Sequence, residues 1–564
     1  MFNQAAERVS VRVVVLGAPL TTLFLTTKVV TDPVNATKLV IAGAFCFSIA
    51  FLLFAFQSKY LLNNFKLYLL ASLLFLMAAL NSTIFSDSPL SQNLYGSFGR
   101  NTGLIAYTAF TLGSLGMLGI RSIDNFKKLI LSLQLAGLIN VLYCLWVIIF
   151  GDFISWNNPY GNILGTLGNP NFISAFLGIF ITTLIAFMAD TNAKLKYRAA
   201  ALLVSLVAFY EIVDSNAIQG IVVTLGGAAI VGFFVIRSRF KSNIIHFAYL
   251  LMALALGIVS LLGALQKGPF SFIYKKSVSL RGAYWQAGYE MGLQKPLTGI
   301  GMDSYGDWYR RARSEQAATV LPGPNTITNA SHNVVLDFFA YGGWPLLLSY
   351  LGILIITAVS SIKVISRSPK YNPVFVALFA AWICYLTQSL ISINQIGLAI
   401  WGWLLTGALV AYERSTRDSK ELNEGSTKQK SVRPRAAGVI SPQLVAGIGI
   451  LVGSLLAIPP LNADMRWRAA LDSKDSNKVM AALETGYLSP SDSQRYSQAV
   501  RLFASSNLLD DAHALALRAT KFNPDYFDSW KLLYYLSNST KQEKAVALRN
   551  MKRLDPRNPD VLSK

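Results

Sequence analysis

Residues 171–189 read NFISAFLGIFITTLIAFMA, an apolar stretch without a charged side chain. A helix needs about 20 predominantly apolar residues to cross the hydrocarbon core of a bilayer, and this stretch has that length. Stretches of the same kind recur along most of the chain, at about 11–30, 38–57, 67–85, 103–120, 129–150, 199–214, 217–236, 244–265, 338–360, 373–393, 396–412 and 443–461. Residues 1–462 are therefore predicted to form an all-α, polytopic helical membrane domain of about thirteen transmembrane helices.

The composition of the whole chain agrees with a membrane protein. Hydrophobic residues make up 53% of the 564 residues and charged residues 14%, whereas soluble domains carry about 25% charged residues. A net charge of +21 would favour a nucleic-acid partner in a soluble protein. Here, however, no basic patch is interleaved with stacking aromatic residues, so nucleic acid is excluded and membrane lipid is the expected surrounding.

Lysine and arginine are concentrated in alternate connections between the apolar stretches. They follow the second, fourth, sixth, eighth, tenth and twelfth stretches, and the densest run lies between Arg414 and Arg435. Cytoplasmic loops carry such an excess of cations. The pattern predicts a cytoplasmic N-terminus and, with an odd number of spans, an extracytoplasmic C-terminal tail.

Two regions are too long and too polar to be simple connections. One is the predicted outer loop, at about 266–333, and the other is the tail, 463–564. In the tail, Pro490, Pro524 and Pro556 each close a Leu/Phe-x-Pro turn and are spaced 34 and 32 residues apart. Tetratricopeptide repeats have a period of 34 residues, with two helices in each repeat. The tail is therefore predicted to be a tetratricopeptide-like helical domain that binds or positions a partner; an unrelated helical bundle is the alternative.

Two segments of the outer loop hold the side chains best suited to chemistry. His332 lies in Thr328-Asn329-Ala330-Ser331-His332-Asn333, at the membrane boundary, where a general base could reach a lipid-linked substrate. Arg281 opens Arg281-Gly282-Ala283-Tyr284-Trp285, and an arginine suits bidentate binding of phosphate. The alternatives are a structural histidine and an interfacial arginine that binds lipid headgroups beside the two aromatic residues.

Polar residues before two other apolar stretches are further candidates. Asn169 and Asn171 belong to a Gly-Asn-Pro-Asn sequence whose amides suit sugar hydroxyls, although a turn and a helix cap would use the same residues. Arg100 is the only cation of the polar stretch Tyr95–Gly103. No P-loop, HExxH motif or metal-ligand cluster occurs, so no metal or other cofactor is expected.

Taken together, these segments resemble the O-antigen ligase and polymerase family of bacterial envelope glycosyltransferases. The resemblance covers about 98–405 and rests on three features in order: the Gly-Asn-Pro-Asn entry to a span, the loop with Arg281, Trp285 and Pro-Leu-Thr-Gly-Ile-Gly, and the His-Asn pair at 332–333 followed by Gly343. The family includes members with a tetratricopeptide-like tail, which agrees with the tail predicted for this chain. One departure is the stretch Asp214–Gly220, where the family often has a Ser-Arg pair and this chain has no arginine.

The resemblance implies transfer of an undecaprenyl-pyrophosphate-linked glycan to an acceptor hydroxyl, at the outer face of the bacterial cytoplasmic (inner) membrane. Arg281 would hold the pyrophosphate, and His332 would orient or deprotonate the acceptor. The residues expected to bind substrate are Arg100, Tyr284, Trp285, Asn169, Asn171, Gln219 and Asn333. Whether Arg100 supplies a second phosphate clamp is open. Glu211 and Asp214 are interpreted as a snorkelling pair at the interface, and contact with the acceptor is the alternative.

Several functions remain open at the level of sequence. The acceptor could be a lipid, another glycan chain or a protein, which correspond to a ligase, a polymerase and a protein O-oligosaccharyltransferase. A polytopic transporter or flippase is the alternative from another class, but such proteins place polar sites near the membrane midplane, and here the polar groups collect outside. A non-catalytic envelope scaffold, whose tail recruits a protein partner, is the third interpretation.

Overall fold

The computed structural model describes residues 4–154, 156, 158–264, 266–269, 271, 276–424, 440–484 and 486–564. Over these ranges the protein is all-α, and the only β-type pairing is an isolated bridge between Gly486 and Ser489. The helices in chain order are α1 (Gln4–Leu23), α2 (Asn35–Asn64), α3 (Lys66–Ile84), α4 (Leu90–Tyr95), α5 (Leu104–Met117), α6 (Ile123–Phe150), α7 (Pro170–Met188), α8 (Leu195–Asp214), α9 (Ile218–Arg239), α10 (Asn243–Ala264), α11 (Lys276–Gln294), α12 (Tyr305–Ala312), α13 (Glu315–Thr319), α14 (Val334–Arg367), α15 (Pro373–Ser389), α16 (Ile396–Glu424), α17 (Pro442–Ala457), α18 (Pro459–Ser473), α19 (Ser476–Ala482), α20 (Ser493–Ser505), α21 (Leu509–Phe522), α22 (Phe527–Tyr535), α23 (Lys541–Leu554) and α24 (Pro559–Leu562).

Each of the thirteen predicted spans coincides with one helix, although the first helix begins and ends about seven residues earlier than predicted. In the described ranges, eight helices are long and apolar enough to cross a membrane. A ninth span results if the bent pair α17 and α18 is counted as one. The structure thus confirms a polytopic helical membrane protein, whereas the number thirteen remains a prediction.

An aromatic cluster joins four helices of the membrane domain. Phe75 of α3, Tyr107 of α5, Phe338 and Tyr350 of α14, and Trp403 of α16 lie with ring centroids 4.5–5.4 Å apart in successive pairs. Edge-to-face and tilted packing of this kind is favourable beyond the area that it buries. Because Phe338 lies six residues after His332, the cluster gives the start of α14 a rigid base.

Helix α14 is kinked where the loop after α11 packs against it. Gly342 and Gly343 leave the helical conformation, and Gly343 has a φ of +62°. A Cβ atom on Gly343 would collide with the carbonyl of Pro296, and one on Gly299 would collide with the carbonyl of Tyr341. The Pro-Leu-Thr-Gly-Ile-Gly sequence and the Gly-Gly pair of α14, which both belong to the resemblance, are therefore packed against each other as backbone.

The predicted outer loop is partly helical, since it contains α11, α12 and α13. We call the side of the membrane domain that carries residues 85–103 and 276–333 the loop face. The tail begins with α18 and packs on this face through hydrogen bonds such as that from the Ser91 hydroxyl to the Ser491 carbonyl, 3.0 Å long. The tail and the loop therefore lie on the same side of the membrane domain.

The tail folds as helix pairs around a hydrophobic core of its own. Helix α20 packs on α21, and α22 packs on α23, with buried Trp467, Phe503 and Leu515 at the centre. Pro490, Pro524 and Pro556 lie in the connections before, between and after these two pairs. The assignment of the pairs as tetratricopeptide repeats stays a prediction.

Candidate functional site

Arg281, Arg100 and His332, which are far apart in the sequence, come together on the loop face. Burial and the positive charges of Arg281 and then Arg100 lower the pKa of the His332 imidazole to about 4. Contacts place both guanidinium groups in this region: the ring of Tyr284, one helical turn after Arg281, lies 5.8 Å from the His332 ring, and Arg100 donates to the carbonyl of Asn329, three residues before His332. The lowered pKa makes the imidazole neutral at neutral pH.

Arg281, Tyr284 and Trp285 lie on one side of α11, because residues three and four positions apart in a helix are neighbours. The Tyr284 ring stacks on the His332 ring with a centroid distance of 5.8 Å. Trp285 is exposed. Arg281 is half-buried, and burial lowers its pKa. Within the described residues it has no hydrogen bond or ion pair.

Arg100 is held in place by two groups from the loop. Its guanidinium forms an ion pair of 3.5 Å with Asp303, whose side chain is fully buried, and it donates a hydrogen bond to the Asn329 carbonyl. Burial alone would lower the pKa of Arg100, but the Asp303 carboxylate together with Tyr341, Asp337 and Tyr107 outweighs this effect and raises the pKa. The Nε atom of Arg100 is buried and has no partner in the described part of the chain. The second arginine is thus pre-positioned and still has a donor without an acceptor.

Asp303 fixes several elements around the arginine. Its carboxylate accepts hydrogen bonds from the Ser97 backbone N–H at 2.8 Å, the Thr102 hydroxyl at 3.2 Å and the Tyr341 hydroxyl at 3.3 Å. These donors come from the segment before α5 and from α14. One buried carboxylate therefore connects the Arg100 segment, the loop and the span that follows His332. The sequence analysis did not identify Asp303.

Three residues at the site have left-handed backbone conformations although none of them is glycine. The φ angles are +56° at Asn101, +53° at Asp303 and +58° at His332. Such a conformation costs of order 1 kcal/mol or more and persists only where the surroundings enforce it, which is common at functional sites. The neighbouring Ser331 supplies part of that constraint, because its N–H and hydroxyl both donate to the Asp337 carboxylate, at 2.8 and 2.7 Å.

Helix α12 supports the site from behind. The Tyr305 hydroxyl donates a hydrogen bond to the Tyr284 carbonyl at 2.5 Å, and the Tyr309 ring lies edge-on to the Tyr284 ring at 5.7 Å. Burial raises the pKa of both the Tyr305 and the Tyr309 hydroxyls. The contacts hold α11, and with it Arg281, against the segment that carries His332.

The tail in turn holds α12. Arg310 and Arg313 both pair with Asp555, at 2.8 and 2.7 Å, and the Arg313 and Asp555 side chains are fully buried. Arg311 pairs with Asp525 at 3.1 Å. Asp525 and Asp555 lie in the proline turns of the tail. In the sequence, this contact could have been recognised from the opposite charges of the three closely spaced arginines and of the aspartates in these turns.

Asn333 and Asn169, which were predicted to bind substrate, are helix caps in the structure. The Asn333 side-chain oxygen accepts from the Val335 and Leu336 N–H groups at 3.1 and 3.2 Å and begins α14. The Asn169 side-chain oxygen accepts from Asn171 N–H at 2.9 Å and begins α7. The Asn171 side chain has no hydrogen bond over the described ranges. No hydrogen bond among the described residues joins Asn169 or Asn171 to Arg281 or His332, and their substrate role stays a prediction.

Gln219 and Glu211 lie in a different place, between helices of the membrane domain. Gln219 is buried and donates to the Gln388 side chain at 2.9 Å. Glu211 is fully buried, and neither carboxylate oxygen has a partner in the described residues, whereas Asp214 is exposed. The interpretation of Glu211 and Asp214 as a snorkelling pair is therefore wrong for Glu211, whose carboxylate does not reach solvent.

The described residues contain no group of three or more His, Cys, Asp or Glu side chains that could hold a metal ion. Comparison with curated proteins found no match to the chain. Comparison with protein families found one match, to the family described as O-Antigen ligase, over residues 199–351. The matched range contains Arg281, Tyr284, Trp285, Gln219 and His332, and it ends within α14. Together with the apolar helices, this match over residues 199–351 supports the resemblance of the chain to the O-antigen ligase family.

Proposed function

We propose that the protein transfers a glycan from undecaprenyl pyrophosphate to an acceptor hydroxyl at the outer face of the bacterial cytoplasmic membrane. The family supports glycan ligation in general. The observation that carries the specific proposal is a neutral histidine flanked by two arginines, one of which has no partner in the described residues. Such a site suits an anionic donor and an acceptor that must lose a proton.

The pyrophosphate of the donor would bind Arg281 and the free donor of Arg100. Arginine presents planar pairs of N–H groups that match phosphate oxygens. The negative charge of the bound pyrophosphate would offset the two cations that depress the pKa of His332. The pKa of His332 would therefore rise from about 4 towards its ordinary value. A base is most effective when its pKa lies near the working pH. Donor binding would therefore convert His332 into a better base.

In the transfer step, the acceptor oxygen forms a bond to the anomeric carbon of the donor glycan. The bond from that carbon to the pyrophosphate oxygen breaks, and both electrons leave with undecaprenyl pyrophosphate. His332 takes the proton of the acceptor hydroxyl, and the two arginines stabilise the charge on the departing pyrophosphate. Positioning and preorganised charge supply the acceleration, because the leaving group is already good.

The exposed Trp285 and the membrane spans around the site agree with a lipid-linked donor. The acceptor is the open part of the proposal: a lipid core sugar, a second glycan chain and a protein hydroxyl all offer the same nucleophile. Polymerase and protein O-oligosaccharyltransferase activities are therefore alternatives within one mechanism.

The test is complementation of a deletion strain with wild type, Arg281→Ala or His332→Ala at matched membrane expression. Loss of surface glycan together with accumulation of the undecaprenyl-linked glycan is expected for both variants. Arg501→Ala and His513→Ala are matched controls, because these residues lie in the tail and bond to other tail residues. Full complementation by both site variants would reject the transferase and favour a transporter or a scaffold.

A further inference from the structure

A partly open cleft lies between the tail and the membrane domain, beside the Arg100 segment. It encloses about 110 Å³ and is lined on one side by Gln92, Tyr95, Asn101 and Asn329. Ser491 and Tyr526 of the tail form the other side. The site described above uses none of these side chains directly, so the cleft needs an explanation of its own.

Several polar groups of the cleft lack partners within the described residues. The Asn101 side chain is only 4% exposed and makes no hydrogen bond there. The Ser491 hydroxyl is buried and unpartnered. The Asn329 amide, which is half-buried, also has no side-chain hydrogen bond. Buried polar groups are normally satisfied, and an amide can both donate and accept. These groups are therefore suited to a ligand with many hydroxyls.

The charges of the cleft disfavour an anionic ligand. Arg495 lines it, but its guanidinium is paired with Asp464 at 3.4 Å and Asp492 at 3.2 Å and covers the Phe98 ring at 4.7 Å. Asp307 also lines the cleft, and burial raises the pKa of its carboxyl to about 6. Among the described lining residues, a phosphate or an acidic sugar would meet the carboxyls of Asp307 and Asp492 and no unpaired guanidinium. An uncharged ligand fits this lining.

The cleft shares residues with the anchor of Arg100. Asn101 follows Arg100 in the chain, and the Asn329 carbonyl accepts a hydrogen bond from the Arg100 guanidinium. A ligand bound to these two amides would thus lie next to the group proposed to hold the pyrophosphate. Tyr95 and Tyr526 add aromatic rings to the polar lining, a combination typical of sites that orient a small polar ligand.

We propose that this cleft is a glycan subsite, built jointly by the membrane domain and the tail, that binds uncharged sugar residues of a substrate. The proposal rests on the transferase function. It gives the tail a role: the tail completes a binding site next to the pyrophosphate anchor. The sugars could belong to the donor glycan or to the acceptor glycan, which share the same chemistry.

The test measures, by saturation-transfer NMR, the binding of two oligosaccharide probes to the full-length protein in detergent. One probe is the glycan released from the undecaprenyl-linked donor by mild acid, and the other is the glycan portion of the acceptor extracted from the same strain. Asn101→Gly removes one amide but keeps the left-handed backbone. Asn507→Gly is the matched control, since Asn507 has a φ of +59°, belongs to the tail and is not among the residues that line the cleft. Tyr526→Ala tests the tail side.

Asn101→Gly and Tyr526→Ala should each weaken binding of one probe by about fivefold or more, the effect of losing one neutral hydrogen bond or one stacking contact. Asn507→Gly should not change it. The probe that responds identifies the donor or the acceptor as the source. Equal affinity in all variants, or no binding of either probe to wild type, would overturn the subsite. The transferase proposal is judged separately, by donor accumulation in Arg281→Ala and His332→Ala, so the two can fail independently.

Discussion

Replacing Arg281 by glutamine should raise the pKa of His332, because it removes a positive charge that opposes protonation of the imidazole. Burial and the two arginines together take this pKa from 6.5 to about 4. Burial is the largest cause and Arg281 the second, so Arg281 accounts for at most about half of that difference. The pKa in Arg281→Gln should therefore lie above 4 and no higher than about 5.

The assay is NMR of protein labelled with carbon-13 at the histidine Cε1 position. The chain has three histidines, and the His332 signal is assigned by its loss in His332→Ala. At pH 5 the wild-type imidazole should be about nine-tenths neutral, whereas up to about half should be protonated in Arg281→Gln. An unchanged or lower pKa in Arg281→Gln would show that Arg281 does not act on His332, and the proposed site would lose its electrostatic basis.

Two further variants serve as controls: one separates charge from shape at position 281, and the other tests for a general effect of net charge. Arg281→Lys keeps the charge, so the pKa of His332 should stay near 4 while glycan transfer falls, because an ammonium cannot bind phosphate through paired N–H groups. Arg501→Gln removes a tail arginine that pairs with Asp528, and it should leave the titration unchanged. A change of pKa in Arg501→Gln as large as that in Arg281→Gln would indicate a general effect of net charge.

Three other outcomes follow from the same contacts. Asp303→Asn breaks the ion pair with Arg100, and loss of one partner of a buried pair costs about 3–5 kcal/mol of folding stability. Lower thermal stability and loss of surface glycan display are therefore expected. Normal glycan display would contradict the anchoring role of Asp303. Asp555→Asn should expose the tail to faster proteolysis, whereas Asp472→Asn, in an exposed pair, should not; equal cleavage would argue against docking by Asp555. Asn333→Ser should retain the helix cap and glycan display, while Asn333→Ala should lose about 1 kcal/mol of stability. Lost display in a stable Asn333→Ser would instead assign the side chain to substrate.

The sequence was most informative where structure depends on neighbours along the chain. The length of the apolar stretches correctly predicted a helix at each span. The spacing of three and four residues places Arg281, Tyr284 and Trp285 on one side of α11. It was least informative where contacts join distant residues. Arg100 and Asn329 are separated by 229 positions, and no local pattern indicates that they meet. Asn333 shows the converse difficulty, because an asparagine suited to sugars is equally suited to a helix N-terminus.

Among the described residues, the arginines on the loop face differ in whether they have a carboxylate partner. Arg310, Arg311 and Arg313 are each paired with a carboxylate of the tail. Since a buried cation is costly unless it is paired, these three are committed to docking the tail. Arg100 shares its charge with Asp303. Arg281 alone among these five has no carboxylate partner in the described part of the chain, and burial already lowers its pKa.

Because Arg281 has no carboxylate partner in the described residues and burial opposes its charged form, we infer that part of the binding energy of the donor would be used to neutralise this arginine. A dianionic pyrophosphate would supply the missing counter-charge, and it would do so next to a histidine that becomes a stronger base as the arginine is neutralised. Donor binding and base activation would then be the same electrostatic event. A site of this kind would hold His332 neutral and weakly basic until a donor is present, which ties removal of the acceptor proton to the presence of a leaving group.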